Sequence, residues 1–429
     1  MTLKRSLGLF DAVAIGVGAM IGAGIFVVTG LSTGLAGPAV LISIIIAGAV
    51  SSFTALSFAE LSAAAPSEGG AYEFVYEFVS PKAGFFTGWL WLFSNIVAGS
   101  AISLGLASYL TVLFPVLPLR PVAAMACLFF TAINIIGVKH SSTLNNFLVV
   151  FKICVLAFFI LLGVFFLRPV NFYPFSPTGL TGVFQGSAVI FFAFTGFARI
   201  TTIGEEVKNP GKIIPRAILI SIVVTSVIYL LTAFAAVGLL DYRSLAASAS
   251  PIADAAQSTG VAWAGTVVSL GALAATGSVL LTLIMGLSRV FYKMSKNKDL
   301  PPSLSLIHRD LGTPYLSILI MGAIMTILTF FFDLGQMVGL SIFGSLFYYA
   351  LTNLAAFFVR RKIKGAEGFR TPLYPLIPIL GLLTCFVLLF SLDLGSLLLG
   401  GLVILLGAVY LLCKMLYGRG RREAASNIV

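Results

Sequence analysis

The sequence is poor in charge, in histidine and in cysteine. Of its 429 residues only 10% are Asp, Glu, Lys or Arg, two are His and four are Cys. Against 59% apolar residues and a mean hydropathy of +1.07, so little charge excludes a soluble globular chain, which could not hide that much apolar surface. The cysteines, Cys127, Cys154, Cys385 and Cys413, fall inside apolar runs at unrelated spacings. They imply neither a disulfide framework nor a metal site. His140 and His308 fall at predicted helix ends and read as interfacial residues. No Ser/His/Asp set, metal-spaced His/Glu pair or Cys/His cluster is present, which speaks against an enzyme. No P-loop is present either, so direct ATP drive is not expected. No cleavable leader is read: the first apolar run is too long and follows only Lys4-Arg5.

What is there is a succession of apolar runs of about 20 residues, the length that crosses a bilayer as a helix. Twelve spans are predicted, at 10–33, 39–62, 83–112, 121–139, 143–167, 182–205, 213–239, 262–295, 315–333, 336–360, 373–392 and 395–417. The expected fold is an all-α polytopic membrane protein. With a cytoplasmic N-terminus, 22 of the 26 basic residues fall on the inner side. Only Arg120, Arg168 and Arg243 fall outside, and Lys152 stays in the membrane. The excess of inner positive charge sets this orientation, with both termini cytoplasmic. It also accounts for the net charge of +11 without a nucleic-acid partner.

Within the first span lies Gly18-Ala-Met-Ile-Gly22-Ala-Gly24-Ile-Phe26. Glycine is a poor helix former and lets the backbone turn without a Cβ clash. A glycine cluster at mid-depth therefore suggests a broken helix. Its free N–H and C=O groups must face protein or a cavity, because lipid cannot satisfy them. The spacing Gly18-x-x-x-Gly22 is also a helix-packing motif. Span 6 holds a second candidate interruption at Phe194-Thr195-Gly196. Spans 1–5 and 6–10 are two sets of odd number, which insert in opposite directions. Breaks at corresponding positions of an inverted repeat favour a binding site over packing alone. The domains expected are 1–167 and 168–361 as the two repeats, then 362–429 as helices 11 and 12 with a short basic tail after Tyr417.

Other polar residues stand out against the apolar background. Lys152 lies about nine residues into span 5, or ~14 Å at the helical rise, near the bilayer midplane. Charges at that depth are costly and usually functional. Span 3 carries Asn95 and Ser100, and span 8 carries Thr276 and Ser278. Span 10 carries Ser345, Tyr349 and Asn353 at a spacing of four, a polar face that must be buried. After span 2 a turn leads into a short amphipathic stretch with Glu73 and Glu77.

At Glu205-Glu206-Val-Lys-Asn209-Pro210-Gly-Lys-Ile-Ile-Pro215-Arg216 the chain resembles the end of helix 6 in the amino acid–polyamine–organocation family. The span 1 run, Ala59-Glu60-Leu through Gly69-Gly70-Ala-Tyr72, and Ser288-Arg289 through Asp299-Leu-Pro301 match that family in order, over roughly residues 10 to 302. The resemblance implies a five-plus-five inverted repeat with broken helices 1 and 6, and an amino acid or its amine as substrate. Carried over by position, the substrate carboxylate meets N–H groups near Gly22, Ala23 and Gly24, at a favourable helix terminus. The amino group meets carbonyls of Ile21 and of span 6 near Phe192 and Thr195, and Phe192 stands where the family often has an aromatic gate. Phe192, Asn95, Ala98 and Ser345 are expected to shape the side-chain pocket.

In sodium-coupled relatives of this fold a cation sits between helices 1, 5 and 8. Some family members have, as here, a lysine on helix 5 at that place. The resemblance thus puts the Lys152 ammonium against a helix 1 carbonyl near Gly18 and a hydroxyl such as Ser278. Burial disfavours the charged form of an ammonium, so Lys152 could load and release a proton as the site opens to either side. The expectation is proton-coupled symport of a neutral amino acid by alternating access, with no bound sodium and no other cofactor. Many family members carry a polar or acidic residue after Gly196-Phe197; here Ala198-Arg199 follows, which argues against a cationic cargo. Arg199 could pair with Glu205, with Glu60 or with neither, and both acids are expected near the cytoplasmic interface. The alternatives are an amino acid or amine exchanger and, further off, an ion channel, for which no filter motif or charge ring is found. The partners expected are the small-molecule substrate and the lipid bilayer of the cell membrane, with no obligatory protein partner.

Overall fold

Apolar runs of this length can satisfy their backbone inside a bilayer only as helices. In the computed structural model of the chain, the described residues are 7–65, 69–137, 142–204, 206–309, 311–362 and 368–426, with 142–145 and 417–426 described by backbone alone. Lys4, Arg5, Lys139, His140, Glu205 and Lys364 lie outside them.

The first predicted span is α1 (Leu9–Met20), a π-helical turn (Gly24–Val28) and α2 (Thr29–Ala36). Next come α3 (Val40–Ala64), the short α4 (Ala71–Phe78), α5 (Pro81–Leu113), α6 (Leu119–Ile136) and α7 (Ser142–Phe166). The second half opens with α8 (Gly179–Phe194), which tightens into a 3₁₀ segment (Thr195–Ile203), and continues with α9 (Pro210–Leu239). Two short helices follow, α10 (Tyr242–Ala247) and α11 (Pro251–Gln257), then α12 (Ala264–Lys296), α13 (Tyr315–Phe331) and α14 (Leu334–Lys362). The chain ends on α15 (Leu376–Leu389) and α16 (Leu394–Ser426).

Among the described residues nine helical stretches are long and apolar enough to cross a membrane. The first, Leu9–Ala64, is 56 residues long and contains α1 to α3; α13 and α15 are shorter apolar helices. Each predicted apolar run falls on one of these helices or helix pairs. The outward faces of α7, α13 and α16 are apolar, with Phe165 at 79%, Phe331 at 75% and Leu398 at 66% exposure. Exposed apolar surface of that extent suits lipid, not water.

The inside is held by α5, which packs on α12 and α14, and by α3, which packs on α8 and α9. The first helix, α1, sits among α7, α9, α12 and the 3₁₀ segment. We call the end of the bundle that carries α4 the inner end. There, Leu7 bridges to Val207: the Leu7 N–H donates to Glu206 O at 3.1 Å and the Lys208 N–H to Leu7 O at 3.0 Å.

Residues 240–261, which no predicted span covers, hold α10 and α11: Asp241 caps α10 by accepting from the N–H groups of Arg243 and Ser244. Leu245, Ile252 and Ala253 are buried there. The basic stretch after Tyr417 continues α16 as helix to Ser426, beyond the apolar span that ends at Leu416. The second interruption is a change of helix type. Phe194 and Thr195 keep right-handed helical dihedrals, and the chain tightens without opening out.

Candidate functional site

The first interruption is a real break. The helix α1 ends at Met20, and Ile21 is extended (φ −74°, ψ 94°). Helical geometry resumes at Ala23. No positive φ is involved, so glycine is not needed here to turn the chain. It is needed for approach: a Cβ on Gly24 would lie 2.5 Å from Ala193 Cβ, and one on Gly22 would lie 2.8 Å from Val279 Cγ2. A Cβ on Gly196 would lie 2.5 Å from the Ala19 carbonyl oxygen, so the two irregular segments touch through backbone. Packing and binding thus share the same glycines.

Carbonyls freed by the irregular turns must find donors in the absence of water. Three tyrosines supply them. Tyr109 on α5 donates to Phe26 O in the π turn. Tyr229 on α9 donates to Ala193 O at 3.0 Å, and Tyr349 on α14 donates to Thr195 O at 2.8 Å. All three rings are fully buried. Tyr349 was visible in the sequence as part of a polar face; Tyr109 and Tyr229 gave no signal, because a lone tyrosine in an apolar helix looks like core.

Between the irregular segments lies a cavity of about 20 Å³, room for roughly one water molecule. Its lining includes Gly22, Ala23, Gly24, Asn95, Ala98, Phe192, Thr195 and Ser345. These are the expected binding residues with one exception, Ile21. The N–H groups of Ala23 and Gly24 open a helical segment and so lack intrahelical acceptors. Ser94 Oγ donates to Ser341 O at 2.7 Å and lies 2.7 Å from Ser345 Oγ, which ties α5 to α14 across the cavity.

Lys152 is 0% exposed. Its ammonium donates to Gly18 O at 2.7 Å, to Ile21 O at 2.9 Å and to Ser278 Oγ at 3.2 Å. All three ammonium donors are used, by two carbonyls of the break and a hydroxyl of α12. The carbonyls expected to meet the amino group each accept one protein donor here: Ile21 O from Lys152, Thr195 O from Tyr349, and Phe192 O from Thr195 Oγ1 at 2.9 Å, which leaves each a second lone pair. Ala19 and Met20, whose carbonyls fall in the last turn of α1, also line the cavity.

Toward the inner end a second cavity, of about 130 Å³, shares Ala19, Asn95 and Arg199 with the first. Arg199 therefore belongs to the boundary between the two cavities. Among the described residues no carboxylate pairs with it. Glu60 is engaged elsewhere: it takes Arg360 Nε at 2.5 Å, Arg360 Nη2 at 3.2 Å and the Thr371 N–H at 3.1 Å.

The remaining motif residues meet at the inner end. Arg289 pairs with Glu206 at 3.2 Å at the rim of the larger cavity. Tyr72 on α4 donates to Asp299 at 2.8 Å, and Lys414 on α16 pairs with the same carboxylate at 2.9 Å. Burial pushes the Tyr72 phenol well above its ordinary value, so it remains a donor. Lys293 pairs with Glu73 at 2.5 Å. Positive φ at Gly70 (51°) turns the chain into α4, a conformation that suits glycine.

The sequence profile of the family described as amino acid permease matches residues 7–408. The chain is 33% identical over 413 residues to the branched-chain amino acid permease BcaP of Bacillus subtilis, covering 91% of this chain and 89% of that protein. It is 35% identical over 430 residues to an uncharacterized transporter of Mycobacterium tuberculosis, covering 99% and 95%. It is 31% identical over 413 residues to the methylthioribose transporter of Bacillus subtilis, covering 91% and 89%. Broken helix, cavities and profile agree: the chain belongs to the amino acid–polyamine–organocation family, as a membrane transporter of the amino acid permease type and not an enzyme.

Proposed function

We propose that the chain is a secondary active transporter that moves a neutral amino acid together with a proton by alternating access. The observation that carries this reading is Lys152, fully buried, with its ammonium on Gly18 O, Ile21 O and Ser278 Oγ. An ammonium there holds the broken helix against α7 and α12 while protonated. Loss of its proton removes the charge and one donor, and the break is released. Opening to one side then becomes linked to proton loading, and opening to the other side to proton release.

The frame proposed is twelve crossings in two inverted repeats, 1–167 and 168–361, followed by 362–429, with both termini cytoplasmic. Its support is the pairing of equivalent helices: α3 packs on α9, α5 on α12, α6 on α13, and α1 on the 3₁₀ segment. In the site proposed, the substrate carboxylate meets the N–H groups at Gly22, Ala23 and Gly24. Its amino group turns to the carbonyls of Ala19 and Met20. Phe192, Asn95, Ala98 and Ser345 border its side chain, which suits a small apolar group. The permease BcaP carries branched-chain amino acids in its name, and a cargo of that kind fits these walls.

The same lysine geometry also serves an exchanger, in which Lys152 is a fixed cation and the return of an empty site is blocked. Uptake of labelled amino acids into liposomes holding the purified protein separates the two. Accumulation driven by an inward proton gradient, and lost in Lys152→Ala, supports symport. Uptake that ignores the gradient but needs amino acid inside overturns symport in favour of exchange.

A further inference from the structure

Arg199 has no role in the reading above, yet it occupies the one place where the two cavities meet. It lines both of them, with Ala19 and Asn95. Among the described residues its guanidinium makes one polar contact, and a long one: Nη1 stands 3.5 Å from Thr282 Oγ1 on α12. A guanidinium carries five N–H donors and is always charged. One long contact to a hydroxyl leaves most of them facing the cavities. Among the described residues the other charged groups nearby do not neutralise it. Lys152 has the same sign, and Glu206, at the far rim of the larger cavity, is taken by Arg289 at 3.2 Å. The phenols of Tyr348 and Tyr349 on α14 stand near it as well, and Tyr349 is spent on Thr195 O. Asn95 Nδ2 gives one of its two N–H groups to Trp91 O at 2.9 Å, so at most one is left for an anion beside the guanidinium.

An uncompensated guanidinium inside an apolar bundle is costly unless an anion visits it. We propose that Arg199 forms an anion site at the inner mouth of the central cavity, occupied by the carboxylate of the substrate in transit or by a free halide. The site rests on the transport reading for its carboxylate occupant. A carboxylate leaving the Gly22 to Gly24 amides finds the guanidinium at the next step inward, before the larger cavity and the Glu206–Arg289 pair. Without it, the carboxylate would cross from the amides to open water through a lining that includes Ile15, Trp91 and Leu283. Arg199 thus makes an intermediate station on the inner path and selects against a cargo whose leading group is cationic.

The test uses the full chain in liposomes, with half-saturation measured separately for uptake and for efflux. The variants are Arg199→Gln and Arg199→Lys, each checked for monodisperse elution. Loss of a charged hydrogen bond predicts about a tenfold or larger rise in the efflux half-saturation for Arg199→Gln. The uptake value should move much less, and Arg199→Lys should recover part of the loss. A carboxamide analogue used as inner-side competitor should act equally on wild type and Arg199→Gln. Replacing chloride by gluconate separates the occupants. Efflux that weakens in wild type and not in Arg199→Gln identifies a halide; insensitivity of both identifies the substrate carboxylate. Half-saturation within twofold of wild type on both sides for Arg199→Gln overturns the site. If wild type moves no amino acid at all, the transport reading falls separately. Chloride-dependent thermal stabilisation of purified wild type, absent in Arg199→Gln, would then still support the anion site, and its absence would overturn that too.

Discussion

Lys152 Nζ donates to Ile21 O at 2.9 Å, and Ile21 is the residue at which the first helix leaves helical geometry. The cation is therefore bonded to the break itself, and its second carbonyl, Gly18 O at 2.7 Å, belongs to the last turn before it. Lys152→Ala should leave the fold intact at the level of helical content. It should abolish accumulation driven by a proton gradient, with initial rates down tenfold or more. A pH profile of uptake in Lys152→Ala that superimposes on wild type would sink the coupling role.

Much of this was legible in the sequence because membrane constraints are severe. A charge at mid-depth is costly, which singled out Lys152, and the resemblance to the family placed it against Gly18 and Ser278 before any coordinates. The glycine cluster marked the break for the same reason. What was not legible is what the break needs from outside it. The sequence does not show how many donors an ammonium will use, and Ile21 O, expected to meet a ligand, also accepts from Lys152. The 3₁₀ segment Thr195–Ile203 keeps helical dihedrals, and a single glycine does not distinguish tightening from breaking. Helices α10 and α11 are short, six and seven residues, and lack the apolar length that makes a span visible. Their cap signals, Asp241 and Ser250-Pro251, were available and are the cue that could have found them.

The tyrosines that cap freed carbonyls should matter for stability in proportion to their burial. Tyr229→Phe leaves Ala193 O without its donor at 3.0 Å, and Tyr109→Phe does the same to Phe26 O. Each should lower stability by about 1 kcal/mol, given the modest net value of hydrogen bonds in bilayers. Unfolding by titrated denaturing detergent measures it. Curves coincident with wild type for both variants would show that these carbonyls need no protein donor.

Glu60 and Arg360 should be coupled. Glu60 is 4% exposed and accepts three hydrogen bonds from Arg360 and the Thr371 N–H. Arg360 also stacks over Tyr374, with its guanidinium carbon 4.0 Å from the ring centroid. Removing the arginine strands a buried carboxylate, whereas Glu60→Gln leaves a neutral amide in its place. Arg360→Ala should therefore be the worse single change, and the two combined should cost less than their sum. A coupling of about 1–3 kcal/mol is expected in a double-mutant cycle of unfolding. Additive effects would place the pair among the many ion contacts that contribute little.

The close approach at Gly24 gives the sharpest steric prediction. A methyl group there would lie 2.5 Å from Ala193 Cβ and 3.2 Å from Ala193 N, and backbone cannot step aside as the end of a long side chain can. Gly24→Ala must push the π turn away from α8, and with it the N–H groups that open the cavity. Overpacking of this kind costs about 1–3 kcal/mol, enough to shift the site by a fraction of its own small width. Transport should fall about tenfold or more while the protein still inserts and elutes normally. Gly401→Ala on α16 is the matched control, because a Cβ there meets nothing within 4 Å. Alanine is also the better helix former by about 1 kcal/mol, so the control should transport as wild type does and be no less stable. Equal transport by Gly24→Ala and Gly401→Ala would mean that the contact between the π turn and α8 can relax, and that the glycine is there for some purpose other than approach.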